Sequence, residues 1–453
     1  MAQLGFYGSA GIVTGSNFLV EDSRGTKIVV DCGLFQGDFD ANKLNAQPFA
    51  YKAAEVSAVV LTHAHLDHIG RLPILVKDGF RGKIFATSAT LELTQIVLKD
   101  AYDVMLSNHE QDGAPLLYDQ PDIKRTFDLM QAMPYKTRTE IASGIFASLY
   151  DAGHILGSAS VLIEADGKKI LFSGDIGHAP STLLPHAQTP ELADAIVTEA
   201  TYGGVDRTLK HDRLTVLHDA VNWIVQNRGV LLIPAFSVER SQELLYLFNH
   251  LYNQHKLPKV PIFLDSPLAI EALEVFERHQ QLFKKDVQQE RQTDTEIFDF
   301  KGLFLTPTSA ESKEINDTLA PKVIIAGSGM MAGGRIMHHL KRYLSRKDCL
   351  LLVIGYQAEG TLGSKIVDGA RSVFLMGDEI PIRAKVEVVD AFSGHADNKE
   401  LIDWIKGVKL SPNGKVFIVH SEPDRALAFN EELELLLPSI TVEVAENNKV
   451  VEI

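Results

Sequence analysis

The chain has 453 residues, 45% hydrophobic and 23% charged, a balance that excludes disordered and fibrous classes and, at this length, points to two domains. A net charge of −15 excludes a protein that grips nucleic acid by bulk positive charge, so any hold on a polyanion must be local, for instance through metal ions. The two cysteines exclude a disulfide framework; Cys32 in "IVVDCG" and Cys349 in "CLLLVIG" read as buried small hydrophobes of a reducing compartment.

In chain order, "MAQLGFYGSAG" has neither the basic segment nor the apolar core of a signal peptide. No apolar run approaches the roughly 20 residues of a membrane helix. A soluble, cytoplasmic protein with no membrane partner is expected. "TKIVVDCG" reads as a strand ending on Asp31. "VSAVV" reads as a buried strand that runs into "LTHAHLDHIG", where His63, His65, Asp67 and His68 fall within six positions. A helix is expected near 89–106. "IFASLYDAG" is a strand presenting His154, and "SVLIEADGKKILFSGD" is a hairpin about Asp166-Gly167 presenting Asp175. From about residue 206 strands alternate with helices: "VLLIPAF", "VPIFLDS", "KVIIAGSG" and "CLLLVIG" are the strands. That rhythm predicts a doubly wound, mostly parallel sheet. After about Lys385 strand-rich sequence returns, so an α/β domain over 206–385 is expected within a strand-rich domain made of 1–205 and 386–453.

In extended backbone His63 and His65 point to one side, whereas Asp67 and His68, on a tightening turn, can address a neighbouring point. Imidazoles with a carboxylate suit zinc, and each zinc takes about four ligands, so the loop asks for partners from elsewhere. His154 and Asp175 are candidates at strand ends. Asp175 can bridge two metals, and Asp31 can fix a ligand histidine from behind. Four such residues in six positions are not packing, whereas His109, His250 and His338 read as ordinary histidines.

"HAHLDH", with "DCG" upstream and "GH" and "SGDIG" downstream, resembles the metallo-β-lactamase superfamily. The resemblance implies an αββα sandwich with two Zn2+ ions. His63, His65 and His154 would hold one and Asp67 and His68 the other, with Asp175 shared. "VTEATYGG", "VVDAFSGHADN" and "KVFIVHSEPD" add Glu199, His395 and His420, and with "IPAFSVERSQELL", "LDSPLA", "AGSGMMAGGR" and "GYQAEGTLG" they resemble the β-CASP nucleases. The likeness covers nearly the whole chain and is strongest to bacterial and archaeal RNA-processing members, themselves similar to the nuclease that cleaves messenger RNA at its 3′ end. It implies an inserted β-CASP domain and a zinc-dependent ribonuclease. His420 would complete the second zinc. His395 would be the general acid, held by Glu199, with Asp67 counted among the catalytic residues. "VHSE" departs from the relatives' usual "VHGE" at Ser421, and Asn17-Phe18 departs in "TGSNFLV"; neither removes a ligand.

Two alternatives remain at this point: a DNA nuclease of the same fold, whose members usually lack a histidine at position 420, and a metallohydrolase of small thioesters or lactams, whose members lack the insertion, Glu199 and His395. A cleft between two domains would be too narrow for a duplex, so single-stranded RNA is the expected partner, and a homo-oligomer is allowed. "AGSGMMAGGR" is read as a backbone cradle for an RNA phosphate through Ser328, Gly329 and Arg335, ahead of a competing dinucleotide-loop reading whose spacing does not fit. Arg335, His339, Arg342 and Arg346 share one helix face and form an expected basic strip.

Overall fold

The computed structural model describes residues 1–37, 41–207, 212–357 and 360–453. Ala358 and Glu359 of "GYQAEGTLG" lie outside the described residues. The chain divides into two compact units, Met1–Arg207 with His395–Ile453, and Thr208–Gly394.

The first unit holds two seven-stranded sheets. One runs Val450–Glu452, Gln3–Phe6, Phe18–Glu21, Lys27–Val30, Val56–Val60, Lys83–Ala86, Met130–Ala132 across its width. The other runs Thr441–Val444, Lys409–Val419, Leu192–Glu199, Lys168–Phe172, Ala159–Ala165, Ile145–Asp151, Thr139–Ala142. Each is apolar on its inner face. Phe6, Phe18, Val60 and Phe85 of the first meet Ile163, Phe172, Val197 and Phe417 of the second in one core. The outer face of the second sheet is covered by the helices Asn398–Lys406 and Pro423–Leu436, which bury Leu401, Trp404, Ile405, Phe429 and Leu433. The helix Ser88–Asp112 is longer at both ends than the sequence suggests, starting on a Thr87 cap that accepts from the Thr90 N–H and ending on Gly113 at φ 70°. The expected hairpin forms, with Asp166 and Gly167 both at positive φ.

One consequence of this pairing places the site. The strands ending near Asp31, His63, His154, Asp175, Glu199 and His420 all run the same way within their sheets. Their C-terminal ends therefore lie together at one edge of the sandwich, where loop side chains can converge.

The second unit is a six-stranded sheet in the order Leu303–Leu305, Ile262–Asp265, Lys322–Ala326, Val230–Pro234, Cys349–Val353, Lys385–Val388. Every pairing in it is parallel. Central strands such as Lys322–Ala326 and Cys349–Val353 are buried at every residue, as a sheet covered on both faces requires. The helices Arg213–Asn227, Arg240–Asn253, Pro267–Arg278 and Ile336–Tyr343 follow the expected alternation.

The return boundary is corrected. Lys385–Val388, expected just outside the inserted domain, pairs with Cys349–Val353 as that domain's edge strand, so the first unit resumes at His395. The basic strip is also corrected. Arg335 donates to Asp265 Oδ1 at 2.7 Å and to the carbonyl of Pro307 at 2.8 Å, and His339 bonds Asp265 Oδ2 at 2.7 Å. Arg346 pairs with Asp348. Asp265 has no exposed surface, so it draws Arg335 inward as its counter-charge. Ser328 and Gly329 sit on a turn that spends its own donors. The Ser328 N–H bonds the Gly333 carbonyl at 3.3 Å, and Ser328 Oγ accepts from the Ala332 N–H at 3.1 Å. A Cβ at Gly329 would lie 2.7 Å from the Phe236 ring, so packing explains that glycine.

Candidate metal centre

The loop after Val56–Val60 leads directly into the site. His63 follows the strand, His65 caps the one-turn helix Leu66–Ile69, and Asp67 and His68 lie on that turn. "DCG" packs against it from below. Cys32 N–H donates to the His68 carbonyl at 2.7 Å, and a Cβ at Gly33 would fall 1.6 Å from the Asp67 carbonyl oxygen, which only glycine permits.

Two sets of ligand-type atoms result, each set lying within 4.8 Å of one another: His63, His65, His154 and Asp175, and Asp67, His68 and His420. Asp175 belongs beside both. Its Oδ2 is 3.4 Å from His63 Nε2 and 3.6 Å from His154 Nε2, while its Oδ1 is 3.5 Å from His68 Nε2. Sequence positions 63 to 420 thus meet at one point, as the spacing alone could only suggest.

The histidines are held by their far nitrogens. Asp31 Oδ2 accepts from His68 Nδ1 at 2.8 Å and from the Thr62 hydroxyl at 2.8 Å. Thr62 Oγ1 in turn accepts from His63 Nδ1 at 3.0 Å. Thr201 Oγ1 stands 3.1 Å from His420 Nδ1. In each case the contact orients the ring and turns Nε2 toward the cluster. Thr62 and Thr201 carried no signal in the sequence beyond adjacency to a strand end.

The electrostatics fit cations. Burial, reinforced by the neighbouring imidazoles, pushes His63 well below the ordinary imidazole range, so it is a neutral donor. Burial opposes charge on His68 too, but Asp175 and Asp31 outweigh it and push it up to about 10. His420 is raised likewise, burial being overcome by Asp175 and Asp67. Asp67 is held below the usual carboxylate range despite burial, by the His420 hydrogen bond and the His68 charge. Burial raises Asp175 against the pull of His420 and His68. Asp175 Oδ1 is buried without a hydrogen-bond partner. A carboxylate oxygen in that position costs free energy unless a cation meets it. The donor set, imidazole nitrogens with carboxylates, is that of a divalent transition metal.

Beside the cluster, His395 Nδ1 lies 3.1 and 3.2 Å from the two oxygens of Glu199 and 3.9 Å from Asp175 Oδ2. The Glu199 carboxyl is buried, which alone would raise its pKa, yet the charge and hydrogen bond of His395 bring it down to about 2. His395 keeps 20% of its side-chain surface exposed, against 1% for Glu199. The ring is therefore anchored on one side and open on the other.

His178, Asp397 and Glu400 form a further cluster that sequence reading missed. The signals were present: Asp397 and Glu400 have capping-box spacing, and His178 follows Asp175 by one short turn. Ser421, the departure from the relatives' pattern, donates from Oγ to the Ala200 carbonyl at 2.7 Å. Buried Asn17 accepts from the Tyr51 hydroxyl at 3.0 Å.

Residues 19–200 match the metallo-beta-lactamase superfamily domain, 241–366 the Beta-Casp domain, and 379–445 the Zn-dependent metallo-hydrolase RNA specificity domain. The chain is 38% identical over 432 residues to "Ribonuclease TTHA0252" of Thermus thermophilus, covering 95% of each. It is 32% identical to an "RNase J-like protein" of Methanocaldococcus jannaschii, covering 95% of this chain and 94% of that one. It is 30% identical to "Transcription termination factor FttA" of the same organism, covering 97% of this chain and 70% of that one. A crystal structure of a protein of unknown function from Enterococcus faecalis V583 is similar in fold, with a TM-score of 0.54 at 12% identity, over 99% of each chain.

Proposed function

The chain belongs to the β-CASP family of metallo-β-lactamase-fold proteins, and we propose that it is a metal-dependent hydrolase that cleaves RNA phosphodiester bonds with His395 as general acid. The observation that carries this reading is the juxtaposition of two ligand sets joined at Asp175 with a Glu199-anchored imidazole at their side. A small-substrate metallohydrolase needs no such imidazole. Relatives at this identity and coverage are named ribonucleases, which favours RNA over DNA.

His63, His65 and His154 would hold one zinc ion, Asp67, His68 and His420 a second, and Asp175 would serve both. When bound, divalent cations supply a water acidic enough to attack at neutral pH and positive charge opposite the phosphate. Everything else falls to the chain's own residues. Asp31, Thr62 and Thr201 keep Nε2 of the ligand imidazoles turned inward. Glu199 accepts from Nδ1 of His395 and orients the ring, leaving Nε2 to give a proton to the departing ribose oxygen. Asp175 is buried and Asp67 partly buried, and both present carboxylate oxygens to the cluster. The phosphate must reach side chains that are nearly all buried, which a single strand does by bending out and a stiff duplex does not; the substrate we infer is single-stranded. Among the described residues no helix is long and apolar enough to cross a membrane, and an RNA substrate suits a cytoplasmic location.

The test is direct. Purified protein is incubated with RNA labelled at either end, with and without chelator, and the products are mapped. Chelator-sensitive cleavage of single-stranded RNA, faster than cleavage of duplex RNA or DNA, is expected. Cleavage that survives removal of metal, or DNA cut as fast as RNA, overturns the proposal.

A further inference from the structure

The loop that carries His395 has little regular structure of its own. It lies between the short turn ending at Phe392 and the helix Asn398–Lys406. Arg207 holds it from one side, its guanidinium donating to the His395 carbonyl, and a second loop, the one that carries Asp175, holds it from the other. Gly177 and His395 form an isolated antiparallel bridge, and the Ala396 N–H donates to the Ile176 carbonyl at 2.8 Å. Gly177 has no room for a side chain there, since a Cβ would lie 1.9 Å from the Gly153 carbonyl oxygen. Two backbone contacts make a short zipper, and such a zipper alone holds register weakly.

Glu400 reinforces it. Its carboxylate accepts three hydrogen bonds from two segments: the Asp397 N–H at 2.8 Å, His178 Nδ1 at 2.6 Å and the Ala179 N–H at 2.7 Å. The first comes from the His395 side and the other two from the Asp175 side. Glu400 also closes a capping box, because the Asp397 side chain accepts from the Glu400 N–H. An ordinary capping-box glutamate serves one backbone N–H. This one spends its second oxygen, and shares its first, on another loop. Burial opposes ionisation of Glu400, but the His178 and Asp397 hydrogen bonds outweigh it and keep the carboxyl below its ordinary range, as a charged acceptor of three bonds requires.

We propose that Glu400, with His178 as its partner, is a positioning residue that ties the His395 loop to the Asp175 loop and so sets where the acid stands relative to the metal-binding carboxylate. This rests on the assignment of His395 as acid given above. Neither Glu400 nor His178 touches the reacting atoms; both act through His395. A ring displaced by a fraction of an ångström keeps its proton but delivers it poorly, and a misplacement near 1 Å costs on the order of 100-fold.

Glu400→Gln is nearly isosteric: with its carbonyl in the Oε2 position the helix cap survives, while the bond from His178 loses its charged acceptor and the Ala179 N–H faces an NH2 instead of an oxygen, so the tie loosens. Expected are an unchanged melting temperature to within a few degrees, unchanged bound metal, unchanged KM, and kcat on RNA lowered about 10-fold to 100-fold. A nitrophenyl phosphodiester, whose leaving group needs no proton, should be barely slowed. In a His395→Ala background, Glu400→Gln should cost nothing further. Equal slowing of RNA and the activated ester, loss of metal, or a full additional loss in the His395→Ala background would each overturn the proposal. A readout independent of turnover comes from ¹⁵N-labelled imidazoles in the metal-loaded protein. The His395 signals, identified by their loss in His395→Gln, should shift in Glu400→Gln and in His178→Gln while those of His250 stay put; unmoved His395 signals sink the proposal even if the protein cuts no RNA. Conversely, wild-type protein that leaves RNA intact while His395 shifts as expected would refute the ribonuclease assignment and leave the tie standing.

Discussion

Asp31 Oδ2 lies 2.8 Å from Nδ1 of His68, and this single contact decides which nitrogen of that imidazole faces Asp175. Asp31 Oδ1 meanwhile accepts from the Thr62 N–H at 2.8 Å. The residue sits at φ 58°, a conformation that aspartate and asparagine tolerate better than most side chains.

Asp31→Asn therefore keeps the backbone and the Thr62 bond but can turn an amide N–H toward His68. The imidazole must then move its proton to Nε2 and can no longer ligate. Zinc affinity at the Asp67–His68–His420 set should fall by about 10-fold to 100-fold, with the other set little changed. Competition with a fluorescent chelator measures it. In the wild type, His68 stands at about 10 and must lose a proton to bind metal, so affinity should fall as pH falls.

Asp175 and His420 should differ in what they hold. Asp175→Ala removes the one carboxylate beside both sets and should lower occupancy of both. His420→Ala should loosen mainly one. Elemental analysis after gel filtration should read two zinc ions per chain in the wild type, near one in His420→Ala, and less than one in Asp175→Ala. Two retained metals in Asp175→Ala would contradict a shared carboxylate.

His395→Ala should keep metal and fold while turnover of RNA falls by roughly 10²–10⁴, the usual worth of a positioned acid. A nitrophenyl phosphodiester should suffer far less. Glu199→Gln should give part of the same defect, since it weakens the anchor 3.1 Å from Nδ1. Loss of zinc from His395→Ala, or equal slowing of both substrates, would make His395 a ligand or a structural residue.

Asp151, buried below His154, offers a test of stability with pH. Burial raises its pKa to about 6 from 3.8, the Gly153 N–H offsetting only part of the cost. A raised folded pKa means the protonated form fits the fold better. Stability from this group is complete below about pH 4 and is lost as pH rises through 6. Asp151→Asn keeps an acceptor for Gly153 and never ionises. It should stabilise the metal-free chain by about 1–3 kcal/mol at pH 8 and by little at pH 4, measured by urea unfolding.

The convergence of the candidate ligands was legible in the sequence because each stands at or just past the end of an apolar strand, and strand ends in parallel register share an edge. "HAHLDH" even showed the division between His63 with His65 and Asp67 with His68, since alternation gives way to a helical turn there. The residues that hold the ligands were less visible. Thr62 and Thr201 look like any threonine after a strand, and the tie between His178 and Glu400 joins segments far apart in the chain. Arg335 misled because helical spacing tells which residues share a face but not what waits opposite; the buried Asp265 does. Lys385–Val388 misled for a similar reason: a run that alternates charged and β-branched residues announces a strand without saying which sheet it will join.

The order of the chain gives the sandwich a timetable. The strand Lys409–Val419 pairs between Leu192–Glu199 and Thr441–Val444. On the ribosome, Leu192–Glu199 must wait with one edge unpaired while the whole of Thr208–Gly394 is translated. An exposed, largely buried-type strand edge is the kind of surface that recruits wrong partners. The delay also withholds function. His395 and His420 emerge only after the insertion, so a nascent chain can gather His63, His65, His154 and Asp175 without the proposed acid or the last candidate ligand. A chain still under synthesis therefore holds an incomplete candidate centre until its last strands leave the tunnel.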